Sequence, residues 1–317
     1  MKVLVTGASG FLGRRVLEHL ADSEFEVHAV ARRPADGPAT AWYATDLLAP
    51  QERKQLVATI APSHLIHLAW TTGHGEFWES DENADWTAAT VDLVEHFARH
   101  GGRRALLTGS CAEYDWADPS LATTGCHELT TPLLPTTRYG IAKLEAFRTT
   151  SLLGEQLDVA IVWARLFFMF GIDEHEARLV PTLVRASLGG ERADLRHPDR
   201  ILDFMSTRDV AEAYVEILRS NVTGPVNVAS GRGVRLSSLA ETVGYVTGAA
   251  LDTPARLPAG PQDSALRLVA DVRRLSTEVN FDPKHDLEAS LVPVVDWWRS
   301  RIGSRPMDHN NQRTRNT

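Results

Sequence analysis

The stretch TTRYGIAKLEAF sets Tyr139 and Lys143 four residues apart. In a helix that spacing places both side chains on one face. A protonated lysine beside a tyrosine favours the phenolate, so the phenol becomes a better proton shuttle at neutral pH than its reference pKa of about 10 would allow. Upstream, RRALLTGS carries Ser110 to the carboxyl end of an apolar run. Open α/β sheets bind their ligands at that end of their strands, and a hydroxyl there could donate to a carbonyl oxygen.

A second cluster lies at the start, MKVLVTGASGFLGRRV, where Gly7, Gly10 and Gly13 fall at a change from strand to helix. Glycine permits a tight turn and lets backbone N–H groups approach a pyrophosphate, while the helix that follows presents its positive end. Phe11 and Leu12, inside this turn, are counted with the glycines as cofactor contacts. The second strand should discriminate between dinucleotides. It ends VHAVARRP, with Ala31 where an acid would bind the ribose hydroxyls of NAD, followed by Arg32 and Arg33. Two guanidinium groups suit the 2′-phosphate of NADP, so NADP(H) is expected over NAD(H).

These groups need a scaffold. Short apolar runs at Lys2 to Thr6, Phe25 to Ala31, His64 to Ala69 and Arg104 to Leu107 alternate with helical patterns, and further strands fit LDVAIVWARLFF and PVNVAS. This alternation predicts an α/β fold, a Rossmann-type doubly wound parallel sheet. From Leu236 the pattern turns to helices, with a short strand expected near Leu251. The predicted organisation is a dinucleotide-binding domain over residues 1–170, with 201–230 returning to it. A smaller, mostly helical substrate lobe takes 171–200 and 231–302, and the polar stretch 303–317 reads as a disordered tail.

Composition narrows the partners. The 317 residues carry 33 Lys and Arg against 41 Asp and Glu, a net charge of −8, which offers no general basic field for nucleic acid. No apolar run approaches the roughly 18 residues of a membrane span, and no secretory signal is apparent at the start. Cys111 and Cys126 are the two cysteines, too few for a disulfide framework, so a cytoplasmic protein is expected.

TGASGFLG, HLIHLAW, GSCAEY and YGIAK together resemble the extended short-chain dehydrogenase/reductase superfamily, and STRDVAEAY, VNVASG and the late WW extend the likeness over roughly residues 1 to 302. The resemblance implies that Ser110 polarises the substrate carbonyl, that Tyr139 is the general acid/base, and that Lys143 holds the nicotinamide ribose and tunes the tyrosine. Asp46 and Leu47 resemble the adenine contact, and Leu68 and Ala69 the loop beside the cofactor. A homodimer through the helices of Trp86 and Tyr139 is also implied.

Within the superfamily the likeness runs to enzymes of nucleoside-diphosphate sugars: 4-ketoreductases, 4-epimerases and 4,6-dehydratases. Dehydratases carry an adjacent Asp and Glu where this chain has Cys111 and Ala112, which argues against dehydration. The arginine signal for NADP favours net reduction, so the expectation is an NADPH-dependent 4-ketoreductase of a 4-keto-6-deoxysugar. A 4-epimerase, a reductase of a non-nucleotide carbonyl compound and a cofactor-binding regulatory protein are the alternatives.

Three departures bear on the substrate. Phe168 replaces an Asn expected near the sugar diphosphate, Leu202 replaces an expected arginine, and Trp86 replaces a structural Asn. Arg178, Arg200, Arg256 and Arg267 are candidates to compensate. Trp70, Thr71, Cys111, Phe168, Arg178 and Arg200 are the expected substrate residues, with Trp70 and Trp78 equally readable as packing. The run DEHE at 173–176 reads as a solvated loop, with no metal expected, and Trp297 and Trp298 as anchors of the last helix.

Overall fold

A computed structural model of the chain describes residues 1–73, 75–191, 193, 195–249, 266–284 and 286–303. The strand expected near Leu251, Arg256 and residues 304–317 lie outside these, while Gly303 closes the last helix.

The chain begins with β1 (Lys2–Thr6), α1 (Phe11–Leu20), β2 (Glu26–Ala31), β3 (Ala41–Ala44), α2 (Pro50–Ile60), β4 (His64–His67), α3 (Glu82–Arg99) and β5 (Arg104–Ser110). It continues with α4 (Arg138–Leu157), β6 (Ala160–Leu166), β7 (Phe168–Phe170), α5 (Leu179–Gly189), β8 (Ile201–Ser206), α6 (Thr207–Arg219) and β9 (Gly224–Val228). Then follow β10 (Gly233–Arg235), α7 (Leu236–Thr247), β11 (Arg267–Leu268), α8 (Arg273–Thr277) and α9 (Leu287–Gly303).

Seven strands form one parallel sheet in the order β3-β2-β1-β4-β5-β6-β9. The order reverses between β1 and β4, and that crevice is where such a sheet takes a ligand. Both faces are covered, which explains why Val3, Leu4 and Val5 are all fully buried without alternation. On one face Val16, Leu17 and Leu20 of α1 pack with Val210, Tyr214 and Ile217 of α6. On the other, Leu56 of α2, Leu93 and Phe97 of α3 and Ala146 of α4 close over Leu65 and Leu107.

A smaller lobe has its own core, built from α5, α7 and α9 around Val184, Leu239 and Leu291. Trp298 belongs to this core and Trp297 meets it edge to face, so the pair does anchor the last helix. The lobe also contains a small sheet that its helical pattern did not announce: β8 pairs antiparallel with β10 and parallel with β11 and β7. These strands are two to six residues long, too short for an alternation to show. Asp203 of β8, fully buried, ties the sheet to the turn after β9 by accepting from the Ser230 and Gly231 N–H groups at 2.9 Å.

Candidate functional site

The glycine turn is built by backbone contact. Gly7 has φ +67°, and a Cβ there would stand 2.8 Å from the Ala69 nitrogen and 2.9 Å from the Leu68 carbon. At Gly13 a Cβ would come within 2.2 Å of the Gly7 carbonyl oxygen. Gly10 N–H donates to that same oxygen at 3.0 Å. Gly7 and Gly13 therefore exclude side chains, a Cβ at Gly10 would have only 3.0 Å to the same oxygen, and the result is a backbone cradle at the start of α1, which fits a pyrophosphate. Leu68 and Ala69, expected beside the cofactor, lie against this turn. Beneath it, His67 is buried between Thr6 Oγ1 (2.7 Å) and Thr90 Oγ1 (3.0 Å). Burial, with Lys143 and Arg53 nearby, pulls its imidazole down to about 3, so it is neutral.

Arg32 and Arg33 follow β2 directly and are exposed. Asp46 is exposed and accepts from Leu48 N–H at 3.0 Å, and Leu47 is buried with its carbonyl on the Arg53 guanidinium.

Ser110 ends β5, and its hydroxyl accepts from Ala112 N–H at 3.1 Å. The structure brings Ser110 close to Tyr139, where its hydroxyl favours the phenolate. Burial acts more strongly and pushes the phenol up from its ordinary value, with Arg178 a weaker opposing influence. Lys143 Nζ donates to the Thr108 carbonyl at 2.8 Å and stands 3.5 Å from the centre of the Trp70 ring. Burial pulls this amine down to about 7, against the attraction of Glu113.

The phenol of Tyr139 is raised from its ordinary value, not lowered. Desolvation dominates, and the ammonium is directed at Trp70 and Thr108, 5.8 Å from the centre of the tyrosine ring.

Aromatic residues wall this centre. Tyr139 meets Phe77 at 4.9 Å, Trp78 at 5.6 Å and Trp70 at 6.4 Å, all edge to face, and Tyr139 N–H donates to the Trp78 carbonyl at 3.0 Å. Trp70 is packing: it stacks on the buried Trp86, and its indole N–H donates to Asn83 Oδ1 at 2.9 Å. Asn83 also donates to the carbonyls of Phe77 (2.7 Å) and Ser80 (2.9 Å), so one buried amide ties Trp70, Phe77 and Ser80 together. Sequence reasoning did not single out Asn83, whose place in the first turn of α3 was the available signal.

Among the other expected substrate residues, Thr71 continues the Trp70 loop half-buried, Cys111 is buried beside Ser110, and the Cys111 carbonyl accepts from Trp116 Nε1 at 2.8 Å. Arg178 reaches the cluster, its guanidinium 5.6 Å from the centre of Phe77. Phe168 tilts against Phe204 at 5.6 Å in the small sheet. Arg200 stands in the turn entering β8, with its carbonyl on Leu236 N–H, and Arg267 donates to the Leu121 carbonyl at 3.2 Å.

The DEHE run is only half solvated. Asp173 pairs with Arg14 (3.7 Å) and Arg15 (3.3 Å) of α1, and Glu174 is buried, its carboxyl pushed up to about 8 by that burial. His175 and Glu176 are exposed. Among the described residues no group of three or more His, Cys, Asp or Glu could hold a metal ion, and no helix is long and apolar enough to cross a membrane.

The profile of the NAD dependent epimerase/dehydratase family matches residues 3–229. The chain belongs to this family. As a member of the epimerase/dehydratase family it is an enzyme of the NAD(P)-dependent oxidoreductase type. It is 26% identical over 318 residues to a dTDP-4-dehydro-6-deoxy-D-allose reductase of a Streptomyces species, covering 94% of this chain and 96% of the relative. It is 23% identical over 334 residues to a UDP-glucose 4-epimerase of Corynebacterium glutamicum, covering 96% and 98%. The crystal structure of the Thermotoga maritima UDP-glucose 4-epimerase with UDP-glucose superposes with TM-score 0.80 at 18% identity, covering 95% of this chain and all of that one. Two named activities among such relatives, reduction and epimerisation, share the fold.

Proposed function

We propose that this family member is an NADPH-dependent reductase of the C4 keto group of a nucleoside-diphosphate 4-keto-6-deoxysugar. The observation that carries the reading is the joining of Ser110 and Tyr139 at the carboxyl end of β5, beside the glycine cradle. When bound, the nicotinamide supplies a hydride. Tyr139 then donates its phenolic proton to the ketone oxygen as negative charge develops there, and the Ser110 hydroxyl donates to the same oxygen. Burial keeps the phenol protonated at neutral pH, the form that reduction needs. Arg32 and Arg33 meet the 2′-phosphate, and Lys143, released from Trp70, holds the ribose. Arg178, at the entrance to α5 and close to Phe77, is the diphosphate partner that offsets Leu202 and Phe168.

Cys111 and Ala112, at the positions of a dehydratase's acid pair, support reduction without loss of water. The relative named a 4-keto-6-deoxysugar reductase supports the substrate class. The apolar Phe168 and Phe204 pair favours one second reading, a carbonyl substrate without a nucleotide. Nicotinamide absorbance with purified protein, NADPH or NADH and a dTDP-4-keto-6-deoxyhexose separates the two. Loss of NADPH in proportion to substrate is expected, and tight NADPH binding without any loss would move the substrate to the non-nucleotide class.

A further inference from the structure

The carboxylate behind Ser110 has no part in the chemistry above. Glu113 ends the single 3₁₀ turn Cys111–Glu113 and is fully buried. Its Oε1 accepts the backbone N–H of Ser110 at 2.7 Å and the Trp163 indole N–H at 2.9 Å. Its Oε2 accepts Arg165 Nε at 2.8 Å, and Arg165 is also fully buried. The far side of Arg165 donates to the Glu128 carbonyl at 3.0 Å. Room for this arrangement comes from Gly109. A Cβ at that position would stand 2.2 Å from Trp163 Nε1 and 2.7 Å from Glu113 Oε1.

A buried ion pair is weak evidence for stability, because taking two charges out of water costs as much as their attraction returns. A short turn needs no such pair to form. What distinguishes Glu113 is the place where its acceptor is used: on the backbone of the residue whose hydroxyl meets Tyr139. Its charge also faces the reactive pair, disfavouring the phenolate at Tyr139 and favouring the ammonium at Lys143.

We propose that Glu113 is a positioning residue that acts through Ser110, locking its backbone so that the hydroxyl is held toward Tyr139. This rests on the reading of Ser110 and Tyr139 given above. The carboxylate is met by the Ser110 N–H, the Trp163 indole N–H and Arg165, and its charge is felt at Cys111, Tyr139 and Lys143.

Glu113→Gln leaves one carboxamide oxygen where two carboxylate oxygens served Ser110, Trp163 and Arg165, and turns an NH₂ toward one of these donors. Glu113→Asp keeps both oxygens but shortens the reach. In both variants kcat should fall about tenfold with KM for NADPH unchanged. Amide hydrogen exchange at Ser110 adds a readout that needs no substrate: in both variants it should quicken at least roughly tenfold, while Leu106 and Leu107 of β5 stay protected. A Glu113→Gln or Glu113→Asp protein with wild-type kcat and wild-type protection of the Ser110 amide would overturn the proposal. Should wild-type protein reduce no 4-keto sugar, the substrate reading fails on its own, and Ser110 exchange in the two variants still decides the positioning role.

Discussion

The dinucleotide edge of the molecule is closed by backbone, whereas the reactive centre is closed by side chains from distant segments. At the edge, Gly7 and Gly13 bring peptide groups together with no room for a Cβ, and Gly10 leaves only a tight 3.0 Å. At the centre, Trp70, Phe77 and Trp78 follow β4 while Trp116 follows the neighbouring β5, and Asn83 and the Cys111 carbonyl pin Trp70, Phe77 and Trp116. A backbone site tolerates no added atom but little depends on remote contacts. A side-chain site can be altered group by group, and its ionisation follows from burial.

The contrast yields tests of decreasing size. Tyr139→Phe, at the side-chain centre, should cut turnover by about 10²- to 10⁴-fold with NADPH affinity nearly intact, as steady-state rates and a fluorescence titration would check. An active variant would remove Tyr139 from the mechanism.

His67 supports both regions. Its folded pKa of about 3 lies below the unfolded value of 6.5. The unfolded chain therefore binds an extra proton between those values, so stability is full above pH 6.5 and declines as pH falls toward 3, by on the order of 4 kcal/mol. Urea melts of His67→Gln across that window should show this acid-dependent loss flattened relative to wild type.

Gly13→Ala tests the backbone edge. The added Cβ meets the Gly7 carbonyl, which forms part of the turn and cannot swing away as a flexible side chain would. A stability loss of about 2–3 kcal/mol is expected, together with a dinucleotide affinity lower than at an overpacked site elsewhere. Unchanged binding would show that the cradle relaxes freely.

The smallest effect is set by the exposed arginines. The double variant Arg32→Ser, Arg33→Ser should bind NADPH about tenfold more weakly, roughly 1.4 kcal/mol, with NADH affinity unaltered. Equal affinity of the wild-type protein for both nucleotides would contradict the NADP assignment.

How much of this was readable in the chain follows the same division. The strands β1, β2, β4, β5, β6 and β9 announced themselves as apolar runs because both faces of a parallel sheet are buried, whereas the edge strand β3, which is only partly covered, did not. The glycine turn was legible because the demand it meets is local. The small lobe sheet was not, since strands such as Gly233–Arg235 have too few residues for a period. Ser110, Tyr139 and Lys143 were found by type and spacing, but the state of the lysine was not. Its low pKa comes from burial, which exists only after the chain has folded. Glu113 looked like one more residue of GSCAEY, and its role emerges only when β6 brings Trp163 and Arg165 beside it.

The central claim is that the site transfers hydride one way, to a sugar ketone, with Tyr139 delivering the proton. Its most direct test is a reaction of NADPH carrying deuterium at the transferred position with a dTDP-4-keto-6-deoxyhexose, followed by mass analysis of the sugar. One deuterium retained per NADPH consumed is the expected result, and it should be nearly lost in Tyr139→Phe. Interconversion of sugar epimers with no net consumption of NADPH would contradict the account and make the protein an epimerase.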